Sequence, residues 1–526
     1  MSITSPGFFL FAAALILLYY LLPKKWQWPL LLAASIGFYL LAGWRFAIYL
    51  LITAASTYGG ALLIDRMAEG KRTYLKANRE TLSRDERKAY SAGVMHRQRW
   101  ILAGVLVLNL GILCVFKYAG FFAAQFDHIF GGARADVFST WIAPIGISFY
   151  TFQSVGYLIS VYQENCDVQR SFPKYLLFVC FFPQILQGPI SNYKQLSEEL
   201  YTPHEFDFDN LRHGAARMLW GVFKKLVVAD TIAPFIAALF ENYTDYAGLA
   251  AFVGIVLYSI QLYADFSGYM DIVCGLSRML GIELRENFDR PFFSASVAEY
   301  WRRWHISLGD WFKNYLYYPI ATSRWAQKLG KKAQKRLPQF GKTLPATLAL
   351  VLVWLATGLW HGASWGYVVW GGLNGMFLIV SLWCEPLFRR WTGKLGLTED
   401  KRGWRIFRVL RTQLILVFLR ILPEVGGLRR GLGLWAQVFR KPVWPNGWLG
   451  WFPGGMSLTQ LIVVGFGFLL MMIVDGIKCK RPVQEWLDER PIALRFAVYF
   501  VLLAVLLIFG CYGTGYDARD FMYFKF

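Results

Sequence analysis

Long apolar runs separated by short polar connections fill most of this sequence. A helix needs about 20 apolar residues to cross a bilayer, and it satisfies its own backbone hydrogen bonds while doing so. Several runs reach that length, whereas others are shorter or are interrupted by proline, glycine or charged residues. The pattern predicts membrane segments at 8–22, 28–44, 46–64, 100–116, 141–161, 175–190, 215–240, 246–264, 343–360, 363–384, 406–422, 458–474 and 492–510.

These segments predict an all-α, polytopic integral membrane protein with about 11–14 transmembrane, re-entrant and interfacial helices. The 215–240 run is expected to break near Asp230. The 406–422 run contains three arginines, and it is expected either to span the membrane or to lie along its interface. Irregular backbone survives at membrane depth only where protein or a water-filled cavity surrounds it. The broken segments therefore predict a central funnel or tunnel.

The charge of the chain is concentrated in the connections. The sequence carries 55 Lys and Arg against 34 Asp and Glu, a formal net charge of +21, although 56% of its residues are hydrophobic and 17% are charged. The basic segments 65–99 and 324–342 are expected in the cytoplasm, which puts the N-terminus outside. We interpret the excess charge as a topology signal and as contacts with anionic lipid head groups. Nucleic-acid binding would need a basic patch on a soluble domain, and the sequence has no such domain.

One histidine stands in an otherwise uncharged stretch. Residues 343–384 contain no Asp, Glu, Lys or Arg, and His361 is their only side chain expected to titrate near neutral pH. Gly358 and Gly362 would let a backbone or a ligand come close, while Trp360 and Trp365 would supply apolar walls. An ionisable residue placed in a membrane segment at a cost in stability indicates function. The alternative is a neutral histidine that joins helices by a hydrogen bond.

A second candidate stretch, residues 299–319, carries an aromatic stripe. Its spacing of three and four residues predicts an interfacial or re-entrant helix, with His305 at the border of the stripe and one turn from Trp301. The alternative is an aromatic belt that anchors the fold at the head groups. The stripe consists of Trp301, Trp304, Leu308, Trp311, Tyr315 and Tyr318.

Two acidic residues, Asp265 and Asp271, lie near the end of an apolar run. Carboxylates at such a position either form ion pairs or line a polar cavity. We expect pairing with Arg302 or Arg303, which would fix the helix that carries His305.

Few reaction classes fit two histidines in a chain without a metal-ligand spacing, a Gly-x-Ser-x-Gly motif or a glycine-rich phosphate loop. The seven cysteines are scattered and lack a CxxC spacing, so we expect no metal site. A histidine with a reference pKa of about 6.5 can take a proton from an attacking hydroxyl, and a second histidine or an arginine can stabilise the resulting oxyanion. This chemistry is acyl transfer. The alternative for paired membrane histidines is a proton relay in a transporter.

At these residues the sequence resembles the membrane-bound O-acyltransferase (MBOAT) family, in its bacterial alginate O-acetylase-like branch. Matched motif to motif, the catalytic histidine of the family falls on His361, and an upstream position that is His or Asn in the family falls on His305. The motifs that carry the resemblance are Pro-Ile-Gly-Ile-Ser-Phe-Tyr-Thr-Phe-Gln at 144–153, Phe-Pro-Gln-Ile-Leu-Gln-Gly-Pro-Ile at 182–190, Tyr-Ala-Asp-Phe-Ser-Gly-Tyr-Met-Asp at 263–271, Tyr-Trp-Arg-Arg-Trp-His-Ile-Ser-Leu at 300–308, Gly-Leu-Trp-His-Gly at 358–362 and Phe-Met-Tyr-Phe-Lys-Phe at 521–526.

The resemblance implies one transmembrane domain over residues 1–526, with a core at about 100–384 and C-terminal helices at 385–526. It also implies that tunnels from the two membrane faces meet at the two histidines. Two small departures from the family pattern, Ala264 and Lys525, do not touch the expected chemistry. With His361 and His305 as catalytic residues, the expected supporting or substrate-lining residues are Asp265, Asp271, Arg302, Arg303, Trp304, Trp360 and Gln187.

The activity that the resemblance implies is transfer of an acyl group, with acetyl from acetyl-CoA as the favoured donor and no tightly bound cofactor. The expected acceptor is a hydroxyl of an extracellular or periplasmic polysaccharide, reached directly or through a secreted or membrane-anchored partner enzyme. The chain would then be a multi-pass protein of the bacterial cell membrane. The alternative within the family is transfer of D-alanine to teichoic acid from a charged carrier protein.

Overall fold

The computed structural model of the chain describes residues 3–139, 143–398, 401–441, 456–479 and 481–512. Within these ranges the regular structure is helical, and the one extended pairing is an isolated antiparallel bridge between Phe288 and Trp304. The prediction of an all-α fold is therefore confirmed. The 521–526 motif lies outside the described residues.

The chain forms two compact units, which are described separately. The first unit contains Met1–Leu211 and Leu276–Arg285, and the second contains Arg212–Gly275 and Glu286–Phe526. The single transmembrane domain expected over the whole chain stays a prediction. The helices of the first unit are α1 (Pro6–Leu21), α2 (Gln27–Gly43), α3 (Ala47–Ala77), α4 (Arg84–Phe130), α5 (Arg134–Ser139), α6 (Ile147–Tyr162), α7 (Phe172–Cys180), α8 (Phe182–Ile185) and α9 (Tyr193–Tyr201).

The second unit contains π-helical segments as well as α-helices. The π-helical segments are Lys224–Ala229 and Lys313–Tyr317. The helices that lie wholly or mostly in this unit are α10 (Phe208–Phe223), α11 (Asp230–Glu241), α12 (Leu249–Met279), α13 (Val297–Arg303), α14 (Ile306–Phe312), α15 (Tyr318–Ala321), α16 (Arg324–Gln334), α17 (Pro338–His361), α18 (Trp365–Lys394), α19 (Arg402–Arg420), α20 (Leu428–Val438), α21 (Leu458–Lys478), α22 (Val483–Asp488) and α23 (Ile492–Phe509).

Seven helical stretches among the described residues are long and apolar enough to cross a membrane. The last of them, α23, shows why lipid is required, because large apolar side chains such as Phe496 and Leu507 are exposed along it. The chain is therefore a multi-pass membrane protein, as predicted. The seven stretches are Trp44–Ala77, Arg84–Phe130, Leu249–Met279, Pro338–His361, Trp365–Lys394, Leu458–Lys478 and Ile492–Phe509.

Several predicted segments differ from the structure in detail. The 175–190 run is divided into the short helices α7 and α8, neither of which could span a bilayer. The basic stretch 324–342 is largely helical rather than a loop, since α16 and the start of α17 lie within it. The 215–240 run breaks as predicted, because the π-helical segment Lys224–Ala229 interrupts it directly before Asp230.

The helices α17 and α18 form an antiparallel pair joined by a three-residue turn at 362–364. Matched contacts along the pair define this orientation, since Gly358 approaches Gly371 and the Trp383 indole N–H donates to Thr347 Oγ1 over 3.0 Å. Buried side chains Trp354 and Trp370 join the pair to the end of α19. This pair carries His361.

Candidate active site

His361 is the last residue of α17, and close packing of that helix against α18 determines where its side chain lies. A Cβ atom added at Gly358 would lie 2.5 Å from the carbonyl oxygen of Tyr367, and one added at Gly371 would lie 2.4 Å from that of Trp354. Small residues at such a crossing let two membrane helices approach closely. For Gly358, which was predicted to admit a neighbouring backbone or a ligand, the close neighbour is therefore the backbone of α18.

Aromatic rings surround the His361 imidazole, which is 6% exposed. The ring centroids of Trp360 and Trp370 lie 4.9 and 5.1 Å from the imidazole centroid, and both rings meet it edge to face. The ring of Tyr367 lies nearly parallel to it, with 6.4 Å between centroids and 15° between planes. Trp365, the other expected wall, is 55% exposed. Trp370 and Tyr367 were not anticipated from the sequence, because only the helix crossing brings them to His361.

His305 lies at a break between two short helices, so the prediction of one continuous helix over this stretch is wrong. The break falls between α13 and α14, where His305 adopts a left-handed conformation with φ of 49°. Two backbone hydrogen bonds join the residues on either side of His305 to residues 287–289. Ile306 N donates to Asn287 O over 3.0 Å, and Asp289 N donates to Arg303 O over 2.9 Å. The spacing of the aromatic residues could not reveal this break, because residues 287–289, which form these backbone bonds, lie outside the stripe.

Asn287 fixes the His305 ring as well as its backbone. The Oδ1 atom of the buried Asn287 side chain accepts the Ser307 backbone N–H over 3.0 Å and lies 3.3 Å from His305 Nδ1. Because a backbone N–H can only donate, the acceptor at this amide is its oxygen, and the hydrogen at His305 therefore lies on Nδ1. The Nε2 atom of the neutral ring is then an acceptor. Burial lowers the pKa of His305, which lies outside the seven candidate spans, to about 3, so the neutral form prevails.

The two histidines line the same cavity. Their ring centroids are 6.4 Å apart, and Trp360 lies beside both. The cavity has a volume of about 1710 Å³, and its lining also includes Arg302 and the buried Trp304. It follows α17 from His361 back to Ala346, which is roughly 22 Å at 1.5 Å per residue.

The cavity reaches an exposed, charged end that lies far from the histidines. Glu385 and Arg389 of α18 line it, form an ion pair with each other over 2.6 Å and are exposed. Arg389 lies roughly 36 Å along α18 from the turn after His361. Arg408 and Lys313 are further cationic lining residues. The predicted funnel therefore has a counterpart in this cavity, which extends from two buried imidazoles to a polar surface.

The two acidic residues do form ion pairs, but their partners differ from the prediction. Asp265 Oδ1 lies 2.6 Å from Lys225 Nζ, and Asp271 pairs with Lys224 over 2.6 Å and with Arg217 over 2.9 Å. Arg303, one of the two expected partners, instead pairs with Glu299 over 2.7 Å.

The lysines of these pairs lie in the π-helical segment, which places two consecutive side chains in the interior. The side chains of Lys224 and Lys225 are 5% and 2% exposed, so both charges depend on their carboxylate partners. These lysines were not predicted as part of the site, although two adjacent lysines inside the apolar 215–240 run were a signal for it. The pairs join the π-helical segment to α12, whose Phe266 packs 4.9 Å from the His305 ring.

A buried arginine supports the segment that carries His305. Arg420, at the end of α19, holds its guanidinium carbon 5.0 Å from the Tyr300 ring centroid and 5.4 Å from that of Trp304. Those two rings stack at 5.5 Å. Cation–π contacts of this kind compensate for part of the hydration that a buried guanidinium loses. Trp304 is therefore held between its own segment and α19.

Gln187 belongs to the first unit, whereas both histidines belong to the second. It follows α8, and its side chain is fully buried. Its expected role at the site stays a prediction.

Comparison with known proteins gives a consistent result. Residues 167–402 match the family model described as MBOAT, the membrane-bound O-acyltransferase family. The chain is 33% identical to a probable alginate O-acetylase of Pseudomonas putida over an alignment that covers 98% of each chain. It is 32% identical to a peptidoglycan O-acetyltransferase of Helicobacter pylori over 54% of this chain and 55% of the relative. It is 27% identical to a teichoic acid D-alanyltransferase of Bacillus subtilis over 52% of this chain and 66% of the relative.

Proposed function

This chain belongs to the membrane-bound O-acyltransferase family, and from that premise we propose that it transfers acetyl groups from acetyl-CoA to hydroxyls of a polysaccharide outside the cytoplasm, with His361 as general base. One observation carries the proposal, namely that two imidazoles 6.4 Å apart line a single cavity with a charged, exposed end. The names of the alginate and peptidoglycan relatives support acetyl as the acyl group and a polysaccharide as the acceptor. A transporter with a histidine proton relay is set aside, because the family consists of acyltransferases.

In the proposed reaction the acceptor oxygen attacks the thioester carbonyl while His361 takes the hydroxyl proton. The new C–O bond gives a tetrahedral intermediate, which collapses by breaking the C–S bond. The proton then passes from His361 to the leaving thiolate, so the products are an ester and a free thiol, and no net proton is consumed. Burial among aromatic rings keeps competing water away from the thioester.

The role proposed for His305 follows from its tautomer. Stabilising an oxyanion would require a proton on Nε2, whereas the contact with Asn287 favours the proton on Nδ1. The attacking hydroxyl has one proton, which goes to His361. We therefore assign to His305 Nε2 the hydrogen bond from a second acceptor hydroxyl, such as the neighbour of the attacking hydroxyl on a sugar ring. This bond would position the acceptor and favour polyols over simple alcohols.

The donor is proposed to enter through the charged end of the cavity. That end lies toward the start of α17, next to the basic stretch 324–342, which the positive-inside rule assigns to the cytoplasm. Acetyl-CoA carries several phosphate charges, and Arg389, Arg408 and Lys313 are suited to bind them. A secreted or membrane-anchored partner enzyme could pass the acetyl group on to the polysaccharide, as the sequence analysis proposed.

A second candidate function is D-alanyl transfer, which the relationship to a teichoic acid D-alanyltransferase favours. The chemistry at His361 would be the same, because both donors are thioesters. The donor separates the two functions, since D-alanyl transfer would use a charged carrier protein and would ignore acetyl-CoA.

The test uses the full chain in vesicles, with acetyl-CoA labelled in the acetyl group and a soluble polysaccharide as acceptor. The wild type should move label into the polysaccharide with stoichiometric release of thiol, and His361→Ala should abolish transfer without loss of inserted protein. His96→Ala is the matched control, because His96 is an exposed histidine of the first unit. Near wild-type transfer by His361→Ala would refute the assignment. In cells, mass spectrometry of envelope polysaccharides should show an acetyl mass that disappears when the protein is absent.

A further inference from the structure

The chain segment that follows α19 packs against the active-site end of α18. Close contacts at two glycines hold this segment, which we call the α19–α20 turn (residues 421–427). A Cβ atom added at Gly366 would lie 2.8 Å from the Cα atom of Pro423, and one added at Gly431 would lie 2.9 Å from that of Leu422. Leu422 is fully buried. The turn is therefore wedged between the start of α18 and α20, and its backbone has little room to move.

Glu424 of this turn accepts a hydrogen bond from the active-site tyrosine. The Tyr367 hydroxyl donates to Glu424 Oε1 over 2.7 Å, and a bond to a carboxylate is stronger than one between neutral groups. Gly362 also packs against one edge of the tyrosine ring, because a Cβ atom added there would lie 2.2 Å from ring atom Cε2 and 2.3 Å from Cδ2. A tyrosine side chain has two rotatable angles, so these two contacts fix its plane.

The fixed plane of Tyr367 matters because it lies 15° from the plane of the His361 imidazole. Trp360 and Trp370 meet the imidazole by their edges, whereas the tyrosine supplies a parallel face. An imidazole beside such a face keeps its contact area only when the two planes stay aligned. Rotation of Tyr367 would therefore allow rotation of the base.

We propose that Glu424, acting through Tyr367, is a positioning residue that sets the orientation of the His361 imidazole for proton transfer. The proposal rests on the proposed function, in which His361 is the base. Glu424 lies beyond residues 167–402, the part of the chain that the family model matches. Neither Glu424 nor Tyr367 lines the cavity, so both act on the reaction through His361 rather than by touching the substrate.

The test compares Tyr367→Phe, Glu424→Ala, Glu424→Gln and the double variant Tyr367→Phe with Glu424→Ala. Tyr367→Phe keeps the ring and removes only the hydroxyl, so it should fold as the wild type does. A misplacement of 1 Å costs about 100-fold in rate, and partial freedom of the imidazole should lower kcat roughly tenfold in each of the first two variants, with KM for both substrates unchanged. Glu424→Gln keeps an acceptor oxygen and should stay within about threefold of the wild type. The double variant should be no slower than the slower single variant, because both remove the same bond.

The matched control is Thr347→Val, which removes a different side-chain bond between the same two helices. Thr347 accepts the Trp383 indole N–H and lies 14 residues before His361, which is roughly 21 Å along α17. It should retain the kcat of the wild type even if the protein melts at a lower temperature.

The outcomes separate this inference from the proposed function. Wild-type kcat in Tyr367→Phe, or additive losses in the double variant, would overturn the positioning role. If instead the wild type fails to transfer, or His361→Ala transfers normally, the proposed function itself fails. Loss of transfer in His361→Ala, together with tenfold losses in Tyr367→Phe and Glu424→Ala that do not add in the double variant, supports both.

Discussion

Gly362→Ala is the change that most directly tests how the structure holds His361, the proposed base. Gly362 follows His361 and has φ of −177°, an extended conformation that alanine adopts without strain. Any effect of the substitution must therefore come from the added methyl group. That group would lie 2.2 and 2.3 Å from two ring carbons of Tyr367, whereas ordinary contact begins at 3.4 Å.

The size of the effect follows from this overlap. The tyrosine ring and Gly362, which directly follows the proposed base His361, must separate by about 1.2 Å to restore ordinary contact. Since an error of 1 Å in the position of a catalytic group costs about 100-fold, and the separation is shared between two groups, we expect kcat to fall by about 10- to 100-fold. In free energy of activation this loss is about 1.4–2.7 kcal/mol. Overpacking should also lower the free energy of unfolding by about 1–3 kcal/mol.

The assay is initial-rate acetyl transfer in vesicles at saturating donor and acceptor, normalised to inserted protein, with a melting curve in detergent. Gly372→Ala is the control, because Gly372 lies on the same helix as Tyr367 and an added Cβ atom there would meet nothing within 4 Å. It should keep the kcat of the wild type and gain about 0.5–1 kcal/mol from helix propensity. Equal kcat values for Gly362→Ala and Gly372→Ala would refute the view that close packing of Tyr367 positions His361.

Three further predictions concern other parts of the site. Lys225→Met removes the lysine that pairs with the buried carboxylates of Asp265 and Asp230, so it should cost about 3–5 kcal/mol in the free energy of unfolding. Adding Asp265→Leu should recover part of this loss, and an unchanged melting temperature in Lys225→Met would contradict this account. His305→Asn should retain measurable transfer, whereas His305→Leu should retain little. The loss of transfer rate in His305→Leu should be smaller with a monohydric alcohol as acceptor than with a sugar. Equal losses with the two acceptors would argue against a contact between His305 and a second hydroxyl. Asn287→Asp places a carboxylate beside His305 and should raise the pKa of His305 from about 3. Transfer by this variant should then fall as the pH decreases through the neutral range, whereas the wild type should show no step from His305 in that range. Identical pH profiles of the variant and the wild type would count against the assigned tautomer.

The apolar pattern predicted the fold class because the bilayer imposes the same requirement on every spanning segment. Helices such as α17, α18 and α23 depend on length and composition, and both quantities can be read along the chain. His361 could be singled out for the same reason. It is a titratable side chain in an uncharged 42-residue stretch, and the bilayer otherwise requires apolar residues there. The match of the sequence motifs to one family further reduced the number of reactions that the chain was expected to catalyse.

What failed were predictions that needed a partner distant in the sequence. The stripe around Trp301 fits a helix by its spacing, yet pairing with residues 287–289 breaks that helix at His305. The acids Asp265 and Asp271 were expected to pair with arginines that follow them, whereas the lysines that pair with them precede them in a π-helical segment. A π-helical turn contains one residue more than an α-helical turn, and such an insertion leaves no clear periodic signal in the sequence.

By itself, therefore, the sequence determined that this is a helical membrane protein and singled out His361 as the candidate for its chemistry, because lipid solvation acts on each segment independently of the others. Only the tertiary structure decided which side chains surround that histidine. The crossing of α17 and α18 brings Tyr367 to it, the 287–289 segment gives His305 its tautomer, and the α19–α20 turn brings Glu424 from beyond residue 402. Each of these depends on contacts between residues far apart in the chain, and local periodicity carries no information about them.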